Sequence, residues 1–147
     1  MEFYKRKHPE YRPKAKQIKW DICENESVSM AMLPIMQTDI TLTLGERTLI
    51  IDAKYYGSTV QENMGKISIH SPHLYQIHAY VTNEDRFHTG MVDGLLLYAK
   101  TSSDIQPDVQ FRNYDGNIFM VKTLDLCQDF KKIEEQLEKM PDYMSSN

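Results

Sequence analysis

The feature that most limits what this chain can fold into is a hairpin whose second strand runs apolar and then ends in charge. Ile40, Leu42 and Leu44 alternate with Thr41 and Thr43, the period of a half-buried strand. Gly45-Glu46-Arg47 turns the chain. The return run from Thr48 to Tyr56 begins apolar, through Leu49, Ile50 and Ile51, and becomes polar at Asp52 and Lys54. Successive strand side chains point to opposite faces, so Asp52 and Lys54 share a face and Ala53 takes the other. Pairing about the turn centre sets Asp39 roughly opposite Lys54. Two acids and a lysine therefore converge at one end of two apolar strands, where unpaired charge is costly.

Two explanations fit this cluster. In one, Asp52 and Lys54 form a salt bridge and Asp39 caps a turn. In the other, the charges bind something. Two carboxylates with a nearby backbone carbonyl, that of Ala53, suit Mg²⁺, a hard cation that keeps several waters and needs few protein ligands. A lysine ammonium beside it orients or deprotonates an attacking water, or stabilises transition-state charge.

The remaining pattern is mixed. Residues 2–8 read as the last turns of a helix stopped near Pro9, and Lys16 to Ile22 as a first strand. Glu24 to Ser27 form a turn, with Met30 to Met36 returning as the partner strand. Residues 57–69 show neither period and read as a long loop. Ser71 is placed to cap a helix with Pro72 at its first position, running to about Thr82 on a packing face of Leu74, Ile77 and Val81. Strands follow at Asp93 to Ala99 and Asn117 to Thr123. An amphipathic helix from Asp125 to Met140 presents Phe130, Ile133, Leu137 and Met140 for packing and stops at Pro141. This order predicts an α/β fold.

A chain of 147 residues suits one domain. Its 41% hydrophobic and 26% charged content argues against disorder or a fibre. The uncharged stretch from Ser27 to Gln37 is too short to span a bilayer, and no apolar signal core opens the chain, so a cytoplasmic protein without membrane contact is expected. Cys23 and Cys127 stand far apart with no second pair beside either; buried or idle thiols are expected rather than a zinc site or disulfides. The net charge of −4 hides an asymmetry: residues 1–20 carry +5, from seven of the 17 Lys and Arg against Glu2 and Glu10. A basic arm on an acidic body suits contact with a nucleic-acid backbone and equally a solvated helix end.

Asp39, an apolar hairpin and then Asp52-Ala53-Lys54 resemble the PD-(D/E)xK nuclease signature, and Gln76 with Tyr80 resembles the QxxxY helix of its RecB-like members. The segments Leu33 to Leu42, Leu49 to Gly57, Ile69 to Gln76 and Gly94 to Lys100, in order, are similar to the nuclease domain of the McrC subunit of modified-cytosine restriction systems. The resemblance implies a restriction-endonuclease-like mixed β-sheet flanked by helices, spanning residues 1–147 as a single domain that hydrolyses double-stranded DNA with Mg²⁺, or Mn²⁺ in its place. It makes Asp39, Asp52 and the Ala53 carbonyl metal ligands and Lys54 the catalytic lysine. Gln76 and Tyr80, one helical turn apart, then buttress the site or touch the DNA backbone. Thr38 stands at the motif's proline, a position that shapes the turn. Family members carry an N-terminal part that engages a GTP-driven motor of the McrB type, so the resemblance also implies a truncated nuclease domain, with Glu2 as the remnant of an acidic first helix. A helix face left bare by truncation favours a partner or a homodimer.

His70 and His73 lack further ligands at zinc spacing and read as capping or substrate-facing groups. Tyr55, Tyr56, Tyr75 and Tyr80 are candidates for stacking on bases, although most tyrosines of such a chain pack in its core. Two functions therefore stand: a Mg²⁺-dependent endonuclease that works with a motor, and a catalytically silent module that binds DNA or a partner.

Overall fold

The computed structural model describes residues 1–23, 32–55, 60–63 and 66–144. Its chain order is α1 (Glu2–Lys7), β1 (Gln17–Ile18), β2 (Met36–Gln37), β3 (Ile40–Leu44), β4 (Arg47–Lys54), β5 (Val60–Asn63), β6 (Lys66–Ile69), α2 (Ser71–Glu84), β7 (Val92–Ala99), β8 (Val109–Arg112), β9 (Ile118–Leu124) and α3 (Phe130–Glu138). Five strands form one sheet in the order β3-β4-β7-β9-β8. The inner pairs β4–β7 and β7–β9 are parallel, and the outer pairs β3–β4 and β8–β9 are antiparallel. The fold is α/β, a mixed sheet flanked by helices of the restriction-endonuclease-like kind.

Strand alternation assigns the two cores. Ile50 on β4, Leu96 and Tyr98 on β7 and Phe119 and Val121 on β9 face α2, where Ile77, Tyr80 and Val81 meet them. Leu49 and Ile51, Leu95 and Leu97, and Ile118 and Met120 face the other way, onto Tyr4 of α1 and Met140 and Met144 beyond α3. The inner strands are apolar on both faces because both are covered, as parallel strands require. Gly94 lets α2 approach: a β-carbon there would lie 2.8 Å from Val81 Cγ2 and 2.9 Å from Ile77 Cγ1. At the lower end of α2, buried Asp85 accepts hydrogen bonds from the Gly90 amide at 2.8 Å and the Asn117 side chain at 2.7 Å, tying the helix to β9.

Several expectations are corrected. The span Lys16 to Ile22 contributes only the two-residue β1, paired with the equally short β2, because Asp21, Ile22 and Cys23 are exposed and leave the pairing. The turn expected at 24–27 lies outside the described residues, as do Met30 and Ala31; of the remaining expected partner strand, residues 32–36, only Met36 is in a strand, because β2 is confined to Met36–Gln37. Residues 57–69 are not all loop: β5 and β6 pair antiparallel. Ser71 is the first residue of α2 and the cap position is His70, without a side-chain capping bond; the helix runs on to Glu84. The last helix starts at Phe130, five residues late, because Asp125 accepts the Cys127 amide and holds a turn there. Phe130 is exposed rather than packed, while Met140 is buried. Cys23 and Cys127 are both exposed, not buried. Tyr4, Tyr80 and Tyr98 are core residues, whereas Tyr55 and Tyr75 face solvent; Tyr56 lies outside the described residues.

The basic N-terminal arm lies across the acidic body. Lys5 pairs with Glu2 at 2.8 Å, Arg6 and Lys7 both lie 3.9 Å from Glu134 of α3, and Lys16 pairs with Glu84 of α2. Among the described residues no helix is long and apolar enough to cross a membrane.

Candidate active site

The site is built at the carboxyl end of β4, where the strand leaves the core. The two-residue turn pairs Leu44 with Arg47 and Ile40 with Ile51, so the next residue, Asp39, lies level with Asp52. The expectation that Asp39 stands opposite Lys54 is corrected: the tight turn shortens the register by one residue on each arm, and the two carboxylates become neighbours. Thr38 fixes the approach to Asp39. It is 1% exposed, its amide donates to the Lys16 carbonyl at 2.9 Å, and its hydroxyl accepts the Lys16 amide at 2.9 Å.

Asp39 Oδ2 accepts the Ala53 amide at 2.8 Å, a bond across the hairpin that orients its carboxylate. Asp52 is 2% exposed and lies on the face of β4 that meets α2. Lys54 Nζ is 2.7 Å from Asp52 Oδ2, an ion pair. On its other side Lys54 donates to Gln76 Oε1 at 2.8 Å, and Gln76 Nε2 donates to Tyr80 OH at 2.8 Å. The five side chains named from sequence therefore lie in one continuous run from β3 through β4 into α2. Gln76 and Tyr80 reach it because α2 lays its Ile77 and Val81 face on the sheet and turns these two polar groups toward the strand end.

Burial holds the Asp52 carboxyl above the usual carboxylate range; the Lys54 contact and charge oppose that rise, and nearby Asp39 adds to it. A buried acid in this condition gains from further positive charge. Among the described residues no three His, Cys, Asp or Glu side chains converge, so the acidic donors here are Asp39 and Asp52. Glu2 does not join them: its carboxylate is exposed and paired with Lys5.

One polar pair of this region goes beyond the sequence reading. His73 Nδ1 and Tyr98 OH are 2.7 Å apart, and Tyr98 is the register partner of Lys54 on β7. The pair runs parallel to the Lys54–Gln76 contact, one helical turn nearer the start of α2. Burial lowers the His73 pKa first, and the charges of Lys54 and His70 lower it further. Only the His70-Ser-Pro-His73 spacing signalled it in the sequence. His70 does stand at the N-cap of α2, through its backbone and without a side-chain capping bond.

These features define an α/β domain of restriction-endonuclease-like fold with an acid–acid–lysine cluster at the end of a central strand. The sequence is 32% identical over 120 residues to the type IV methyl-directed restriction enzyme EcoKMcrBC of Escherichia coli K12, a match covering 82% of this chain and 34% of that protein. No protein-family model matches the sequence. Among solved structures, the half-complex of Thermococcus gammatolerans McrB AAA+ hexamers with bound McrC contains a chain of similar fold. That match has a TM-score of 0.53 at 15% identity, over 94% of this chain and 30% of that one. The chain thus spans about a third of the length of the proteins it matches.

Proposed function

We propose that residues 1–147 form the DNA-cleaving domain of an McrC-type subunit in a modification-dependent restriction system, a Mg²⁺-dependent PD-(D/E)xK endonuclease acting on double-stranded DNA in the cytoplasm. The observation that carries this reading is the run Asp39–Asp52–Lys54–Gln76–Tyr80 at the end of β4, in a chain similar to a methyl-directed restriction enzyme. The whole assembly, in this reading, adds a GTP-driven motor of the McrB type. The solved relative containing McrB hexamers with bound McrC supports that partner.

The donor set fits a hard divalent cation. Asp39 and Asp52 supply carboxylate oxygens, and Asp52 Oδ2 is buried with the Lys54 ammonium 2.7 Å away. With the Ala53 carbonyl these residues would hold Mg²⁺, leaving water in its other positions. Held there, such an ion would lower the pKa of a bound water and offset charge on the phosphoryl oxygens. Lys54, held by Asp52 and Gln76, directs its ammonium at the attacking water or at the charge developing on the phosphoryl oxygens. Water oxygen bonds to phosphorus, one phosphodiester P–O bond breaks, and the leaving alkoxide takes up a proton. Gln76 contributes by fixing Lys54, and Tyr80 by fixing Gln76.

A silent module is the second reading, favoured by the Lys54–Asp52 ion pair, which already partners both charges. Calorimetric titration of Mn²⁺ into this chain and into Asp39→Asn/Asp52→Asn separates the two. Binding by the parent that vanishes in the variant is expected. A folded parent that binds no Mn²⁺ overturns the nuclease reading.

A further inference from the structure

Beside the acid cluster, on the opposite face of β4, a concavity of about 140 Å³ opens at the carboxyl ends of the parallel strands. Its lining includes Ala53, Lys54, Tyr55, Leu97, Ala99 and Leu126. The position follows from alternation: Ala53 and Tyr55 point away from α2, toward Leu97 and Ala99 of β7. The wall is apolar, with Leu97 6% exposed at its base, while Tyr55 is 85% exposed and Leu126 46%. Beside this wall Lys100 and Asp125 form an ion pair at 2.8 Å. Carboxyl ends of parallel strands are where open α/β sheets bind their ligands.

We propose that this concavity receives the pyrimidine base of the nucleotide adjoining the bond to be cut, unstacked from its neighbours and covered by Tyr55. The inference rests on the nuclease reading and names what part of the substrate the site takes besides its phosphate. Three observations argue for that occupant. A cavity of about 150 Å³ holds one six-membered aromatic ring, so this one matches a pyrimidine and is small for a purine. Lys54 lines both the catalytic cluster and the concavity, and Ala53 joins them through the backbone amide that Asp39 accepts. The apolar group nearest a phosphodiester, other than its sugar, is the base it carries. An exposed tyrosine at such a place supplies a stacking face, worth about five- to a hundredfold in affinity per base. Taking the base out of the stack has a cost that is least in single-stranded, mismatched or already opened DNA. The site therefore favours substrate whose strands have been locally separated.

The test is fluorescence anisotropy with labelled ten-nucleotide single strands, with Ca²⁺ replacing Mg²⁺ as the hard cation. The strands are oligothymidylate, oligodeoxyadenylate and a chain of abasic residues. The parent is expected to bind oligothymidylate about tenfold more tightly than either of the others. Tyr55→Ala and Leu126→Lys, both at exposed positions outside the acid cluster, are expected to erase that preference while retaining the parent's melting temperature and Mn²⁺ binding. Equal affinity for the three strands, no binding to any, or a preference that survives both variants overturns the base pocket. If Mn²⁺ binding is intact when that happens, the pocket alone has failed; if Mn²⁺ binding is absent too, the nuclease reading has failed with it. Variants that keep the thymidylate preference yet lose association with a motor ring would assign the concavity to a protein partner, against the proposal.

Discussion

Lys54 Nζ and Gln76 Oε1 lie 2.8 Å apart, so a strand residue and a helix residue 22 positions away in sequence hold one ammonium between them. Lys54 also faces Asp52 at 2.7 Å, and Gln76 is itself held by Tyr80. Its position is thus fixed from the sheet and from the helix together. Positioning of this kind is what lets a lysine act on transition-state charge without a large reorganisation when the reaction occurs.

Lys54→Ala removes the ammonium and leaves both carboxylates. Cleavage of supercoiled plasmid, measured with the motor partner present, should fall about 10²–10³-fold. Mn²⁺ and DNA binding should be nearly unchanged. Cleavage at the parent's rate would remove Lys54 from the mechanism.

Gln76→Ala leaves Lys54 with Asp52 alone and lets the ammonium drift. The turnover rate is expected to drop about ten- to a hundredfold, the range for a supporting residue behind a catalytic group. Mn²⁺ affinity and melting temperature should stay at the parent's values. A variant that loses metal binding instead would show that Gln76 shapes the acid pair.

Asp52→Asn should raise stability at neutral pH in metal-free buffer. The Asp52 carboxyl has its folded pKa raised above the ordinary carboxylate value, chiefly by burial. Between the unfolded and folded values the native state holds the proton and the unfolded chain does not, so stability falls as pH rises through the folded value. Thermal melts of parent and variant should differ most at pH 7–8 and converge toward pH 4. Added Mn²⁺ should stabilise the parent and leave the variant unmoved; a parent that gains stability with rising pH over this range would contradict the argument.

Gly94→Ala puts a methyl group where Val81 and Ile77 lie within 3 Å, both in the buried core. Overpacking of this kind costs about 1–3 kcal/mol, readable by urea denaturation. Because α2 also carries Gln76, the same variant is expected to cut more slowly than its loss of stability explains. An unchanged denaturation midpoint would mean that α2 shifts without cost.

The sequence was most legible where one pattern had one cause. Strand β3 alternates in sequence even though Thr41 and Leu42, on opposite faces, are both buried, and the middle runs of β4 and β7 are apolar because both of their faces are covered. Strand β8 does alternate, Val109 and Phe111 with Gln110 and Arg112, but over only four residues, all exposed, which is too short a run to mark a strand. The β5–β6 hairpin is illegible for a related reason, being a two-stranded pairing outside the main sheet. At the site, Asp39, Asp52 and Lys54 are legible because a hairpin is local, yet their register is not, because the partner of Asp39 moves from Lys54 to Asp52 with the length of the turn.

By itself the sequence determined the central hairpin, the shared face of Asp52 and Lys54, and an α2 with Gln76 and Tyr80 one turn apart. Strand period and helical spacing are local properties, set by which side chains must leave water. Only the tertiary structure decided that α2 lies over the end of β4, that Asp39 stands beside Asp52, that His73 meets Tyr98, and that Ala53 and Tyr55 open onto an apolar concavity. Each of these depends on packing between segments distant in sequence, through contacts such as the close approach of Ile77 and Val81 to Gly94, and no local pattern records which surfaces meet.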